Sequence, residues 1–236
     1  MPDQDDFLKG IDIVLDDDGM FVIEVPHVLD MLKECLFDTI YHEHIFYYSL
    51  ISLENLLDPR GFRIFNVEKF EFGPSGPPIR VFICKKEAKY ETSPAVKSIR
   101  EEEIAYGLDS VDIYNQFSNR VWAAKAKLLN MLEKLKREGE KILGFGAPAK
   151  GNTILNTFGL DTTWLDCILE KNDLKCGLVT PGTHVPIVNE DTFDISPYKY
   201  ALLLSWNIVD FLLRKSDFIK TGGKFITPLP EPKILP

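Results

Sequence analysis

Apolar residues recur along this chain with two different periods, and their distribution outlines an architecture. In residues 3–16, Phe7, Leu8, Ile11 and Leu15 fall at helical spacing and predict an amphipathic helix. Asp17-Asp18-Gly19 breaks it. Met20-Phe21-Val22-Ile23-Glu24-Val25 is then an almost continuous apolar run stopped by Pro26, the pattern of a strand covered on both faces. A second helix is expected around residues 29–35, followed by a polar-aromatic stretch over 37–48. Ser49 or Ser52 suits the cap of a helix running to about Leu57, which Pro59-Arg60-Gly61 ends. Strands over 63–71 and 79–85 flank the turn Gly73-Pro74-Ser75-Gly76-Pro77-Pro78 and predict a hairpin.

From Ser93-Pro94 to about Glu138 the chain reads as charged helix. Tyr114, Phe117, Val121, Leu128, Leu132 and Leu135 stay in helical phase, so this region is expected to pack across or between domains. Beyond it the pattern alternates: strand 141–145, helix 149–157, strand 164–169, strand 200–204, helix 207–215 and strand 224–227. Strands separated by helices imply parallel crossovers, hence a small Rossmann-like sheet. The expected fold class is α/β throughout, with a domain boundary somewhere within residues 86–140.

Composition narrows the function classes only modestly. With 45% hydrophobic and 27% charged residues the chain has an ordinary globular balance. A formal charge of −9 argues against a nucleic-acid-binding surface, and no apolar run is long enough to span a bilayer. The opening residues are acidic, unlike a targeting peptide. Cys35, Cys84, Cys167 and Cys176 form no C-x-x-C pair, so neither zinc nor a disulfide framework is indicated and a cytoplasmic setting is expected.

Asp38-Thr39-Ile40-Tyr41-His42-Glu43-His44 is the densest run of titratable side chains. Imidazole suits proton abstraction near neutrality, a phenol can donate to a developing oxyanion, and Glu43 can orient an imidazole or a sugar hydroxyl. His42 and His44 would also share one face of a strand, as metal ligands do, although no third ligand is evident. A structural polar network is the remaining alternative. Gly144-Phe145-Gly146-Ala147-Pro148-Ala149-Lys150-Gly151-Asn152-Thr153 joins a strand to a helix. Its N–H groups and Lys150 could bind an anion, or the block is simply a tight turn. The spacing matches neither the dinucleotide nor the nucleotide-triphosphate glycine pattern. Thr183 and His184 lie in a turn-rich loop. Ser205-Trp206-Asn207 follows a buried strand, where α/β sheets bind ligands, although Asn207 could instead be an N-cap.

These blocks, with Gly222-Gly223-Lys224-Phe225, resemble in order and over nearly the whole chain the sugar C-methyltransferases, which act on nucleotide-linked 4-keto-deoxysugars. The resemblance implies a class I methyltransferase sheet over residues 1–90, in its C-terminal half, and a Rossmann-like C-terminal domain over 91–236 with a long leading helical region. It implies methyl transfer from S-adenosylmethionine (SAM) to the carbon beside a sugar ketone. His44 would be the base, with Tyr41 and Glu43 orienting the sugar and His42, Gly146, Lys150, Asn152, Thr153, His184 and Asn207 contributing to substrate binding; no metal is implied. On the same resemblance the chain starts inside the SAM domain and lacks the zinc-binding cysteines and the glycine-rich SAM loop. It departs from the family pattern at Ser75-Gly76-Pro77-Pro78 and at Asp173. Strand 20–25 would then lack a neighbour, leaving an apolar edge that calls for a partner chain or self-association. Three roles follow from this: a component of an enzyme, a nucleotide-sugar-binding module without methyl transfer, or a structural remnant.

Overall fold

A computed structural model describes residues 3–71, 73 and 76–236. The chain divides into two compact units, one comprising Met1–Phe37 with His42–Ser118 and the other Asp38–Tyr41 with Asn119–Pro236. Both are α/β. Among the described residues no helix is long and apolar enough to cross a membrane.

In the first unit, helix α1 (Gln4–Val14) begins where Asp3 Oδ1 accepts the Asp6 N–H at 2.9 Å, and Leu8 is its buried contact. Strand β1 (Met20–Pro26) leads into α2 (Val28–Lys33), and α3 (Leu50–Leu57) opens on a reciprocal cap between Ser49 and Ser52. Strands β2 (Phe62–Lys69) and β3 (Pro78–Lys85) form the expected antiparallel hairpin; Pro74 and Ser75 of its turn lie outside the described residues. The sheet order is β1-β3-β2, antiparallel at both junctions. Leu8, Leu50, Leu53, Phe62, Ile79, Val81 and Ile83 share one core with α4 (Pro94–Tyr106), which contributes Val96 and Ile99.

One expectation is corrected here. Strand β1 is not covered on both faces. Phe21, Ile23 and Val25 pack on the core, while Met20 (46% exposed) and Val22 (45%), on the alternate side of the strand, face outward. The expected helical stretch after Pro94 is present as two helices. Gly107, at φ +91°, closes α4 with its N–H on the carbonyls of Glu103 and Ile104, and α5 (Val111–Arg137) starts afresh.

The second unit carries β4 (Ile142–Phe145), α6 (Ala149–Phe158), β5 (Ile168–Glu170), β6 (Ile187–Asn189), β7 (Tyr200–Leu203), α7 (Val209–Lys215), α8 (Asp217–Lys220), β8 (Lys224–Thr227) and β9 (Lys233–Leu235). Its sheet runs β6-β5-β4-β7-β8-β9, parallel except for β9. The strand expected over 164–169 is shorter because Asp161 gathers Thr163 and Trp164 into a turn. Helix 207–215 likewise begins later, after a 3-10 turn at Trp206–Ile208. The short strands β6 and β9 escaped the hydrophobic pattern. After β4 the chain passes to β5 on one side and later to β7 on the other, so the carboxyl ends of β4 and β7 are the topological switch point.

Ile83→Ala, in the central strand of the first sheet, should cost about 2–5 kcal/mol in urea unfolding. Val22→Thr, on the outward face of β1, should change stability by less than about 0.5 kcal/mol. A large loss from Val22→Thr would mean that this face is covered in solution.

Candidate functional site

At the switch point of the second unit, a polar contact across 168 positions joins two of the sequence blocks. Asp38 sits in the 3-10 turn Phe37–Thr39 with no exposed surface, and the Trp206 indole N–H donates to its Oδ2 at 2.7 Å. The other oxygen, Oδ1, is buried with no hydrogen-bond partner. Lys150, in the first turn of α6, places its ammonium 6.0 Å from the centre of the Trp206 ring. Burial pushes the Asp38 carboxyl up to about 6, against the opposing pull of the Trp206 hydrogen bond and the Lys150 charge. Burial also lowers Lys150, which the Asp38 charge counteracts. The acid and the amine are therefore each displaced toward neutrality, as groups at functional sites often are.

The turn between β4 and α6 is built by close packing. Gly146 has φ +78°, and a Cβ there would collide with Ser205 Oγ; a Cβ on Gly151 would meet Leu204 Cβ at 2.8 Å. The Leu204 N–H donates to Phe145 O at 3.0 Å, which ties the ends of β4 and β7 together. Glu170, closing β5, fastens the same turn from the other side. Its Oε2 accepts the Ala147 N–H at 2.9 Å, and its Oε1 accepts the N–H groups of Lys171 (2.8 Å) and Asn172 (3.0 Å). Lys175 completes the clasp by donating to Ala147 O at 2.8 Å. Burial would raise the Glu170 carboxyl, but the three backbone donors outweigh it and hold it below its ordinary range. One N–H of the anion-binding turn read from the sequence is thus already taken by a carboxylate of the protein itself.

The remaining predicted residues are distributed as follows. Tyr41 belongs to the second unit and is half-buried. His42 and Glu43 are exposed in a turn of the first unit. His44 is half-buried in the loop leading to Ser49, its ring 6.3 Å from that of Tyr47, edge to face. His42 and His44 do not lie on a strand, so the shared-face geometry considered for a metal is not formed. Among the described residues no group of three or more His, Cys, Asp or Glu could hold a metal ion. Asn152 has its Oδ1 buried without a partner, and Thr153 is half-buried beside it on α6. His184 is an exposed turn residue at φ +55° whose N–H donates to Thr180 O. Asn207 is exposed in the 3-10 turn; the cap of α7 is Ile208, so the N-cap alternative for Asn207 does not hold.

Sequence reasoning passed over Asp38, Trp206, Glu170 and His27 as site residues. Glu170 had a legible signal, an acidic residue ending the strand after a glycine turn, the place of the ribose-binding acid in dinucleotide folds. Asp38 and Trp206 both stood in blocks singled out above, but nothing in a sequence announces a pairing across 168 positions.

Residues 74–230 match the C-methyltransferase C-terminal domain, and the chain belongs to that family. Over all 236 residues it is 33% identical to C-methyltransferase NovU of Streptomyces niveus, spanning 56% of that relative's length.

Asp38→Asn tests the buried acid. Because the folded carboxyl is raised to about 6, its contribution to stability is fully present below its ordinary value near 4 and is lost as pH rises through 6. The variant should flatten this dependence and, at pH 8, be more stable than the parent by up to about 2–3 kcal/mol. All three tryptophans (Trp122, Trp164 and Trp206) lie in the second unit, so fluorescence-monitored urea melts at pH 4 and pH 8 read it directly.

Proposed function

We propose that this chain is the substrate-holding and proton-abstracting portion of a C-methyltransferase that acts on a nucleotide-linked keto-deoxysugar. The single observation that carries the reading is the Trp206–Asp38 hydrogen bond, which draws the start of the Asp38–Tyr41 segment to the switch point of the family's C-terminal domain. In this reading the His44 imidazole accepts the proton from the carbon beside the sugar ketone. The C–H electron pair moves into the enolate, and the Tyr41 hydroxyl donates a hydrogen bond to the enolate oxygen. Glu43 accepts hydrogen bonds from sugar hydroxyls. Lys150, with the indole face of Trp206 beside it, meets the anionic and planar parts of the nucleotide, and Asn152, whose Oδ1 needs a donor, takes a hydroxyl. His42, Thr153, His184 and Asn207 complete the assigned substrate contacts.

SAM, which the family implies, would supply an electrophilic methyl group to the enolate carbon. The residues described here do not fit it. The glycine turn after β4 has its Ala147 N–H bonded to Glu170, whose carboxylate is turned onto three backbone N–H groups of its own unit. No step of methyl transfer is therefore assigned to these residues. The place of β1 at the end of its sheet, paired only with β3 among the described residues, supports a further part of the proposal, that a polypeptide contributed from elsewhere pairs with this edge and carries the donor site. The same observations favour one other reading, a nucleotide-sugar-binding module without methyl transfer.

Exchange of the sugar α-proton with deuterated solvent separates these readings. His44→Ala should slow exchange on a thymidine-diphosphate 4-keto-deoxysugar by about 10²–10⁴-fold while leaving the melting curve followed by far-UV circular dichroism unchanged. Exchange at the parent rate in the variant would remove His44 from the role. Calorimetric binding of the sugar nucleotide without any exchange would favour the binding module.

A further inference from the structure

The first unit contains a histidine that the proposed chemistry does not use. His27, immediately before α2, has a side chain with no exposed surface. Its Nδ1 lies 2.7 Å from Asp30 Oδ2 and its Nε2 lies 2.8 Å from Glu103 Oε1, and the Glu103 side chain is itself fully buried. A neutral imidazole has one N–H and one lone pair, so it can satisfy only one of two carboxylates. The other contact would set a lone pair against a carboxylate oxygen with no solvent to relieve it. Both distances are hydrogen-bonding, so with both acids ionised both ring nitrogens carry protons. The acids approach opposite nitrogens and therefore cannot converge on a cation.

The same carboxylate starts helix α3. Glu103 Oε1 accepts the Leu50 N–H at 2.6 Å, and Oε2 accepts the Ile51 N–H at 3.0 Å. Ser49 Oγ takes the next donor, Ser52 N–H, at 3.0 Å. The first turn of α3 is thus fully capped, two of its bonds depending on an acid that His27 neutralises. The backbone around His27 grips the preceding residue too: Val28 N–H donates to Tyr48 O at 2.9 Å, and His27 and Tyr48 form an isolated parallel bridge. His44 lies four residues before Tyr48.

We propose that His27 is a positioning residue, a buried imidazolium that fixes the carboxyl-terminal end of the His44 loop through Glu103 and the first turn of α3. Loss of its proton leaves the Glu103 carboxylate buried beside a lone pair, and the loop is released. The groups that set this balance are Asp30 and Glu34 from α2 and its cap, Glu102 and Glu103 from α4, and Lys69 of β2, 3.3 Å from Asp30 Oδ1. Lys33 pairs with Glu102, while Arg100 and Tyr114 face Glu103. Burial pushes His27 down, but the two hydrogen bonds and the two charges outweigh it and raise it above its ordinary value; Asp30 is held low by the same pairing, against its own burial. The network is therefore intact above the ordinary carboxylate range and is lost as pH rises through the raised value of His27.

Imidazole nitrogen NMR on the full chain at pH 7 should show both His27 nitrogens protonated; a neutral tautomer at that pH overturns the proposal. Amide exchange at Leu50 and Ile51 should be slow while His27 is charged and accelerate as it titrates. Asp30→Asn removes one acid without opening the core, and it should move the His27 midpoint down by about one pH unit and carry the exchange transition with it. An unmoved midpoint, or exchange that ignores it, also overturns the proposal. The activity arm rests on the function proposed above: in Asp30→Asn the high-pH loss of α-proton exchange should shift down with the His27 midpoint. If the parent exchanges no keto-sugar proton, that function fails while the NMR and amide measurements still judge His27.

Discussion

The hydrogen bond from Trp206 to Asp38 is a constraint on which the second unit's site depends. It joins residues 168 apart and holds an acid where no water reaches it. A buried carboxyl with one donor and one unpartnered oxygen is a costly arrangement, and it persists only where the surrounding packing over-determines it. Here that packing is the β4–α6 turn, closed on one side by Ser205 against Gly146 and on the other by the Glu170 clasp. Burial holds Asp38 and Lys150 each nearer neutrality than in water, and their mutual attraction offsets this only in part.

The first unit treats its buried acid in the opposite way. Glu103 receives three donors, from His27, Leu50 and Ile51, spread over both of its oxygens. A buried acid so well supplied rigidifies its surroundings and favours one backbone arrangement.

Much of the fold was legible in the sequence because it is written in local signals. The helical phase of Phe7, Leu8, Ile11 and Leu15, the Ser49 cap, and the strand–turn–helix of β4 and α6 all appear where the pattern puts them. What was missed depended on tertiary context. Val22 reads as core by composition, and only the folded packing shows that its face of β1 is open. Three-residue strands such as β6 and β9 are too short to display a period. Of the candidate site, the titratable cluster was visible as residue types, but its electrostatics were not. Asp38 lies next to Thr39 in a polar run and is nonetheless without exposed surface, and His27 follows Pro26 at a strand end with nothing to mark its two acids.

The tight packing of the β4–α6 turn bears on how this chain could drift over time. Gly144, Gly146 and Gly151 each back onto a neighbour, Ile168, Ser205 and Leu204 respectively, with no room for a methyl group. Selection for a folded sheet alone would keep all three, whether or not a ligand ever binds there. A descendant that had lost its chemistry would still carry the glycine block, so that block is a record of ancestry and packing. Erosion of function would register first at Lys150 and Asn152, whose side chains take no part in that glycine packing.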